Sequence, residues 1–210
     1  LGCKLNQCET EAIADAFQMG GYETVTIAEP ADLYIVNTCT VTTKSEQKAR
    51  RLIRNLLEKS PEASVIVTGC YAQMEPEKIA SLGDRVQVVS GNLKDQLIDL
   101  PSRMRKEGDK RDLFPVEERN TEQEVESRFR FHPSRYSFHT RAFMKVQDGC
   151  DNHCSYCRVC LARGPSVSLP LDTAMDRFIQ LSREGYREIV LTGVNLSQYT
   201  SGKSELKDLI

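Results

Sequence analysis

The chain contains 210 residues, of which 40% are hydrophobic and 28% are charged. This composition is typical of a folded globular protein with one or two domains. The formal net charge is −2, so the chain as a whole lacks the basic excess of a dedicated nucleic-acid-binding module. No apolar stretch approaches the roughly 20 residues of a membrane span, and no charged-then-apolar leader opens the sequence. We therefore expect a cytoplasmic protein that does not bind membranes.

Residues 1–100 alternate helical and strand-like patterns, which is the order of a parallel sheet with crossover helices. The patterns predict helices at 9–21, 43–60, 75–82 and 93–100, and strands at 22–27, 32–39, 64–69 and 86–90. The continuous apolar runs in the second and third strands indicate burial on both faces. We predict an α/β domain of the doubly wound type over 1–100.

Residues 101–140 are rich in charge and poor in aliphatic side chains, so we predict a charged linker. Its end alternates arginines with aromatic residues: Arg128, Arg130, Arg135 and Arg141 with Phe129, Phe131, Tyr136 and Phe138. Such a pattern is compatible with contacts to RNA or with packing between domains.

A second α/β unit is predicted over 141–210. A strand at 141–147 leads into a cysteine-rich loop, a helix at 171–186 and a strand at 187–193. The loop follows the carboxyl end of the first strand, which is the edge where parallel α/β proteins bind ligands.

Three cysteines of this loop, Cys150, Cys154 and Cys157, have the spacing C-x3-C-x2-C. Three thiolates can hold three corners of a 4Fe–4S cubane and leave the fourth iron open for chemistry. A structural zinc site is the main alternative, although zinc usually takes two well-separated cysteine pairs. An electron-carrier cluster calls for a different spacing, and disulfides are disfavoured in a reducing compartment.

Three further cysteines adjoin predicted strand ends: Cys3 in "LGC", Cys39 in "IVNTC" and Cys70 in "VTGC". Because the carboxyl ends of parallel strands share one edge, these thiols can converge on a second cluster. The alternative is that they are three unconnected buried cysteines that pack as small apolar side chains.

The flanking residues resemble a known family. The triad with Tyr156 is similar to the signature of radical S-adenosylmethionine enzymes. The segments "LGCKLNQCETE", "NTCTVT", "GCYAQ", "RAFMKVQDGCDNHCSYC" and "LTGVNLSQY" resemble the methylthiotransferases within that group. The first two are most similar to the branch that modifies N-threonylcarbamoyladenosine in tRNA, while the isopentenyladenosine branch and the ribosomal-protein branch remain alternatives.

The resemblance implies two 4Fe–4S clusters and S-adenosylmethionine. By resemblance, Cys150, Cys154 and Cys157 hold the catalytic cluster, Cys3, Cys39 and Cys70 hold the auxiliary one, and Tyr156, Gly193 and Asn195 border S-adenosylmethionine. Its reductive cleavage would give a 5′-deoxyadenosyl radical that removes the C2 hydrogen of the adenosine next to the anticodon (position 37), before a methylthio group is added. The implied partners are the tRNA anticodon loop and an electron donor such as flavodoxin or ferredoxin.

The resemblance also has gaps. Cys8 and Cys160 stand where relatives usually have no thiol, and each is either a spare small side chain or, for Cys160, a competitor for iron. The resemblance implies that 141–210 is the start of a radical S-adenosylmethionine (β/α) partial barrel and that the first strand of the sheet is missing. We therefore expect a fragment that is inactive alone, with an exposed sheet edge at 188–193. A metal-stabilised RNA-binding module without catalysis is the remaining alternative.

Overall fold

The computed structural model describes residues 2–27, 29–107 and 121–210. Residues 108–120, which belong to the predicted linker, lie outside the described residues. Within the described ranges, no helix combines the length and the apolar character that crossing a lipid bilayer requires.

The N-terminal part is a three-stranded parallel sheet with helices on both faces. Its elements are α1 (Lys4–Met19), β1 (Leu33–Thr38), α2 (Thr43–Lys59), β2 (Ser64–Gly69), α3 (Cys70–Met74), α4 (Pro76–Ala80), β3 (Val86–Val88), a 3-10 turn (Gly91–Leu93) and α5 (Gln96–Glu107). The strand order is β1-β2-β3, and the pairing of β1 with β2 runs from Leu33 with Ser64 to Thr38 with Gly69. The predicted doubly wound α/β arrangement is therefore confirmed.

Alternation along β2 explains why both faces of the sheet are covered. Val65 and Val67 pack in the cluster that contains buried side chains of α2, whereas Ile66 packs with α1 and α5 on the opposite face. Successive strand residues point to opposite faces, so an uninterrupted apolar run needs helices on both sides. The helix α2 begins after Thr42, whose side chain accepts a hydrogen bond from the Ser45 backbone N–H in a capping box.

Some predicted elements differ from the structure. The predicted strand at 22–27 is wrong: this segment is mostly exposed and pairs with no described strand, so its β-branched residues gain no ladder. The predicted helix at 75–82 is present as the shorter α4, but it is preceded by α3, which was not predicted; the two meet at Glu75 just before Pro76. A proline cannot donate to the preceding turn, so a new helix starts there.

The C-terminal part contains a parallel pair of strands joined through a helix. Its elements are α6 (Thr121–Arg128), β4 (Ala142–Lys145), β5 (Gln147–Asp148), α7 (Val159–Arg163), β6 (Val167–Ser168), α8 (Leu171–Arg183), β7 (Ile189–Thr192), β8 (Thr200–Ser201) and β9 (Ser204–Glu205). β4 pairs in parallel with β7, and β5 pairs antiparallel with β6. The predicted order of strand, loop, helix and strand is confirmed, while α7 and β6 had no signal in the sequence analysis.

The helix α1 lies between the two parts. Its residue Cys8 is fully buried beside Phe143 of β4 and donates to that residue's carbonyl oxygen at 3.2 Å. The carboxylate of Glu11 accepts hydrogen bonds from the backbone N–H groups of Ser137 and Phe138 at 2.9 and 3.0 Å. Both contacts attach the second part to the same helix that follows Cys3.

The arginine and aromatic pattern before β4 is used largely for packing. Phe129, Phe131 and Tyr136 are buried. Arg130 forms a two-pronged ion pair with Asp99 of α5, with Nη to Oδ distances of 2.8 and 2.7 Å. These side chains follow the packing alternative and are not available to stack on RNA bases.

Candidate functional site

The structure brings Cys3, Cys39 and Cys70 together at the carboxyl edge of the sheet. Cys39 directly follows β1 and Cys70 directly follows β2, and the residues before them, Thr38 and Gly69, are paired in the sheet. Burial raises the pKa of Cys39, and negative charge on Cys70 and Cys3 raises this pKa further. The three cysteines therefore lie in the same region at this edge, although they are up to 67 positions apart in sequence.

A glycine makes this approach of the two strands possible. Gly69 has a φ of +96°, and a Cβ atom there would lie 2.3 Å from the carbonyl oxygen of Thr38. Only glycine tolerates both the positive φ and the close backbone contact. The chain can consequently turn from β2 into α3 with Cys70 beside Cys39.

The second group of cysteines lies in the loop between β5 and α7. The backbone N–H of Cys150 donates to the carbonyl oxygen of Gly164 at 3.1 Å, and that of Cys157 donates to Cys154 at 3.0 Å. Cys154 is exposed, while Cys150 and Cys157 are half-buried. The loop also depends on Gly149, where φ is +71° and a Cβ would lie 1.9 Å from the carbonyl oxygen of Pro165.

The residues predicted to border S-adenosylmethionine lie at different distances from this loop. Asn195 lies next to Cys150, with 3.8 Å between Nδ2 and Sγ, and its backbone N–H donates to Gln147 Oε1 at 2.8 Å. Gly193 directly follows β7 and leaves room for Gln147, because a Cβ there would lie 2.8 Å from Oε1. Tyr156 is 89% exposed, so it contacts little of the protein.

The two additional cysteines lie in different environments. Complete burial raises the pKa of Cys8 to about 12, which makes it a poor thiolate ligand. Cys160 is half-buried on α7, with its Sγ 3.9 Å from the carbonyl oxygen of Cys157. The structure thus gives Cys8 a packing role between α1 and β4.

The donor set suits iron–sulfur clusters better than a single ion. All eight cysteines are free of disulfides. In residues 2–27, 29–107 and 121–210, no three His, Cys, Asp or Glu side chains lie close enough to hold one metal ion. A cubane binds each thiolate through a different iron, so its ligands are spaced more widely than those of a single zinc. Two thiol-only groups of three fit that chemistry.

A buried network of charges lies between the two cysteine groups, and the sequence analysis did not find it. Its centre is Glu9 of α1, which is 1% exposed. Lys94 Nζ lies 2.5 Å from Glu9 Oε2, and Lys145 Nζ lies 3.1 Å from Oε1. Burial alone would raise the pKa of Glu9, but Arg163, Lys94 and Lys145 hold it well below its usual range.

Arg163 connects this network to both cysteine groups. Its Nη1 lies 3.0 Å from Glu9 Oε1 and 3.0 Å from Asp148 Oδ1, and its Nε lies 3.3 Å from Cys70 Sγ. Asp148 is two positions before Cys150, and its other oxygen lies 2.7 Å from Lys145 Nζ. A lysine inside the apolar run "RAFMKVQ" was the one sequence signal that could have indicated this network.

The network borders a cavity of about 280 Å³ between the two parts. Glu9, Cys70, Lys94, Lys145 and Arg163 are among the residues that line it. The cavity therefore lies next to Cys70 of the first cysteine group and next to α7, the helix that follows the second group.

Comparison with known proteins finds a matching family model and several similar curated proteins. Residues 1–91 match a family described as "Uncharacterized protein family UPF0004". All of the chain aligns, at 36% identity in each case, with proteins of Treponema pallidum and Chlamydia pneumoniae that are named threonylcarbamoyladenosine tRNA methylthiotransferase MtaB. The alignments cover 55% and 45% of those relatives, so the chain spans about half the length of the curated relatives it matches.

A second kind of relative has a different name. A protein of Roseobacter denitrificans, named tRNA-2-methylthio-N(6)-dimethylallyladenosine synthase, is 32% identical over 94% of this chain and 44% of its own length. Nearly all of the chain is therefore similar to tRNA methylthiotransferases of both names. This similarity implies iron–sulfur clusters and S-adenosylmethionine, the cofactors of radical S-adenosylmethionine methylthiotransferases.

Proposed function

We propose that this chain acts in a tRNA methylthiotransferase that replaces the C2 hydrogen of N-threonylcarbamoyladenosine, next to the anticodon, with a methylthio group. The observation that carries the proposal is the pair of thiol groups on either side of one buried charge network, with Arg163 in contact with Cys70 and Asp148. A carbon–hydrogen bond of an adenine ring is not acidic enough for acid–base catalysis, so the reaction needs radical chemistry from cofactors.

Each thiol group would hold one 4Fe–4S cluster. Cys150, Cys154 and Cys157 would bind the catalytic cluster and leave one iron open for S-adenosylmethionine. Cys3, Cys39 and Cys70 would bind the auxiliary cluster. When bound, the two clusters and S-adenosylmethionine would supply the radical that removes the hydrogen. They would also supply the sulfur and the methyl group that replace it.

The chain's own residues would place the reactants. Asn195 and Gly193 meet Gln147 at the base of Cys150 and would form one wall beside S-adenosylmethionine. Tyr156 is exposed and free to pack against the adenine of that cofactor. A single adenosine would have to leave the stack of the anticodon loop to reach the two clusters.

The proposal includes an external electron donor such as flavodoxin or ferredoxin. It also places the protein in the cytoplasm, where a reducing environment keeps eight free cysteines reduced.

Analysis of modified nucleosides tests this function. The gene that encodes the chain is deleted, tRNA is digested, and the nucleosides are measured by mass spectrometry. We expect 2-methylthio-N-threonylcarbamoyladenosine to be lost, to return with the intact gene, and to stay absent with the C150A or C39A variant. A C8A variant is the matched control, because Cys8 belongs to neither group, and it should restore the nucleoside.

Two other outcomes would change the assignment. Loss of the methylthio group from isopentenyladenosine alone would favour the other tRNA branch, with which the chain shares 32% identity in one relative. Restoration by the C150A variant would contradict catalysis and favour a binding module.

A further inference from the structure

Arg163 makes contacts that a merely structural arginine would not need. Its guanidinium donates to Asn6 Oδ1 at 3.0 Å, to Asp148 Oδ1 at 3.0 Å and to the sulfur of Cys70 at 3.3 Å. The side chain is 8% exposed. The guanidinium thus contacts Asn6 of the N-terminal part, Asp148 of the C-terminal part and the thiol of Cys70 in the first cysteine group.

Cations outnumber carboxylates in the charge network around Arg163. Among the described residues, the network contains three cations, Lys94, Lys145 and Arg163, and two carboxylates, Glu9 and Asp148. An uncompensated buried charge is costly. A cluster bound through Cys70 would bring negative charge next to Arg163, whose Nε–H donates to the Cys70 sulfur at 3.3 Å.

We propose that Arg163 is a positioning residue that holds the sulfur of Cys70 through its Nε–H group and raises the reduction potential of the cluster bound by Cys3, Cys39 and Cys70. The inference rests on the proposed function, which supplies that cluster. Hydrogen bonds to a ligand sulfur and nearby positive charge both stabilise the reduced, more negative state of an iron–sulfur cluster. Reduction of the cluster adds one electron and breaks no covalent bond.

The position of Arg163 in the chain gives this contact a second consequence. It ends α7, six residues after Cys157, and its backbone carbonyl accepts from Arg128 Nη1 at 2.8 Å. The same residue therefore fixes the end of the catalytic cysteine loop and one ligand of the other group. Asp148 on the opposite flank of the loop completes this attachment.

Redox titration of a protein that retains one cluster tests the proposal. In the full chain, C150A/C154A/C157A leaves only the first cysteine group, and the midpoint potential is followed by EPR. We expect R163Q to shift the potential to a more negative value with iron content unchanged, and R163K, which keeps the charge but loses the planar fork, to fall between R163Q and the parent. The matched control is R158Q, because the Arg158 side chain pairs with Glu46 and Glu75 at 3.4 and 3.3 Å and makes no described hydrogen bond to Cys3, Cys39 or Cys70.

Folding of the variants is not expected to obscure the result. The amide that replaces the guanidinium in R163Q can still donate a hydrogen bond to Glu9 or Asp148. If R163Q nevertheless loses iron, a measurement on the parent decides: with ¹⁵N-labelled arginine, pulsed EPR should detect a coupling between the reduced cluster and a guanidinium nitrogen. Absence of that coupling, or equal potentials for R163Q and R158Q, would overturn the inference. If the parent holds no iron at all, the proposed function fails first.

Discussion

The two cysteine groups reach their positions by opposite routes. Cys150, Cys154 and Cys157 lie within eight positions of one loop, are partly or fully exposed, and are held by a few backbone hydrogen bonds. Cys39 and Cys70 are each 7% exposed and come together only because β1 and β2 pair in register. The first arrangement depends on local turns, and the second depends on the whole sheet.

This difference predicts which substitutions should disrupt each cysteine group. A local group can be lost without loss of the fold, whereas the dispersed group should fail together with the sheet. The buried network of Glu9, Lys94, Lys145, Asp148 and Arg163 couples the two groups and should respond to changes on either side. The following predictions test that contrast, from the largest effect to the smallest.

The largest effect should come from E9A, which removes the centre of the coupling network. Among the described ion pairs of this network, the three buried cations would keep only Asp148 as a carboxylate partner, so we expect a loss of about 3–5 kcal/mol in the free energy of unfolding. Urea denaturation measures the change, with the exposed Glu62 as the site of the control variant E62A. A loss below about 1 kcal/mol would mean that the network does not couple the two parts.

Substitution of the glycine before Cys70 and of the glycine before Cys150 should distinguish the dispersed cysteine group from the local one. G69A forces a Cβ to within 2.3 Å of Thr38 at a positive φ, so we expect about 2–4 kcal/mol of destabilisation together with loss of iron from the first group. G149A should remove iron from the loop group with less effect on global stability, because its clash is with Pro165 after α7 and does not involve the three-stranded sheet.

The control for both glycine variants is G185A, since Gly185 has a φ of +91° but a Cβ atom there would meet nothing within 4 Å. It should cost about 1 kcal/mol and leave the iron content unchanged. Equal stability losses for G69A and G149A would remove the contrast between a dispersed and a local group.

Acid should weaken the contact between the two parts. Burial opposes ionisation of Asp148, but Lys145 and Arg163 lower its pKa to about 2, and Glu9 is also held well below its usual value. The folded-state pKa values of both carboxyl groups lie below the unfolded-state values, which are 4.5 for Glu9 and 3.8 for Asp148. Ionisation of the two groups therefore stabilises the fold fully above these unfolded-state values, and this stabilisation is lost as the pH falls toward 2.

Unfolding by urea between pH 7 and pH 3 measures this dependence; Asp148 should account for about 1 kcal/mol over that range, because its folded-state pKa of about 2 lies below pH 3. The D148N variant should have a flatter profile below pH 4. An unchanged profile in D148N would show that other carboxyl groups control acid stability.

The smallest effect should come from Cys8, which belongs to neither group. C8A removes a buried thiol that donates to the carbonyl oxygen of Phe143, and we expect a loss of about 1 kcal/mol with iron content unchanged. C8A therefore serves as a reference for cysteine substitution as such. A fall in iron comparable to that of C39A would make Cys8 a ligand.

The sequence predicted what depends on local pattern and missed what depends on long-range packing. Alternating apolar runs were sufficient for β2, and the C-x3-C-x2-C spacing singled out the loop cysteines. The strand predicted at 22–27 failed because a strand needs a partner, which its own residues do not specify. Convergence of Cys39 with Cys70 was predictable because strand ends of a parallel sheet share an edge.

The buried charge network could not be predicted from local sequence patterns. Glu9 lies on an amphipathic helix, where a carboxylate is usually solvated, and its partners Lys94 and Arg163 are 85 and 154 positions away. No periodicity connects such residues. Long-range packing, including that of α1 against α5 and β4, makes them neighbours.

The central claim is that the chain holds two clusters on separate groups of cysteines. Anaerobic reconstitution followed by iron and sulfide analysis tests it most directly, in the parent and in the triple variants C3A/C39A/C70A and C150A/C154A/C157A. We predict about eight irons in the parent and about four in each variant. One tightly bound zinc in the parent, or a variant that keeps the full iron content, would contradict the claim.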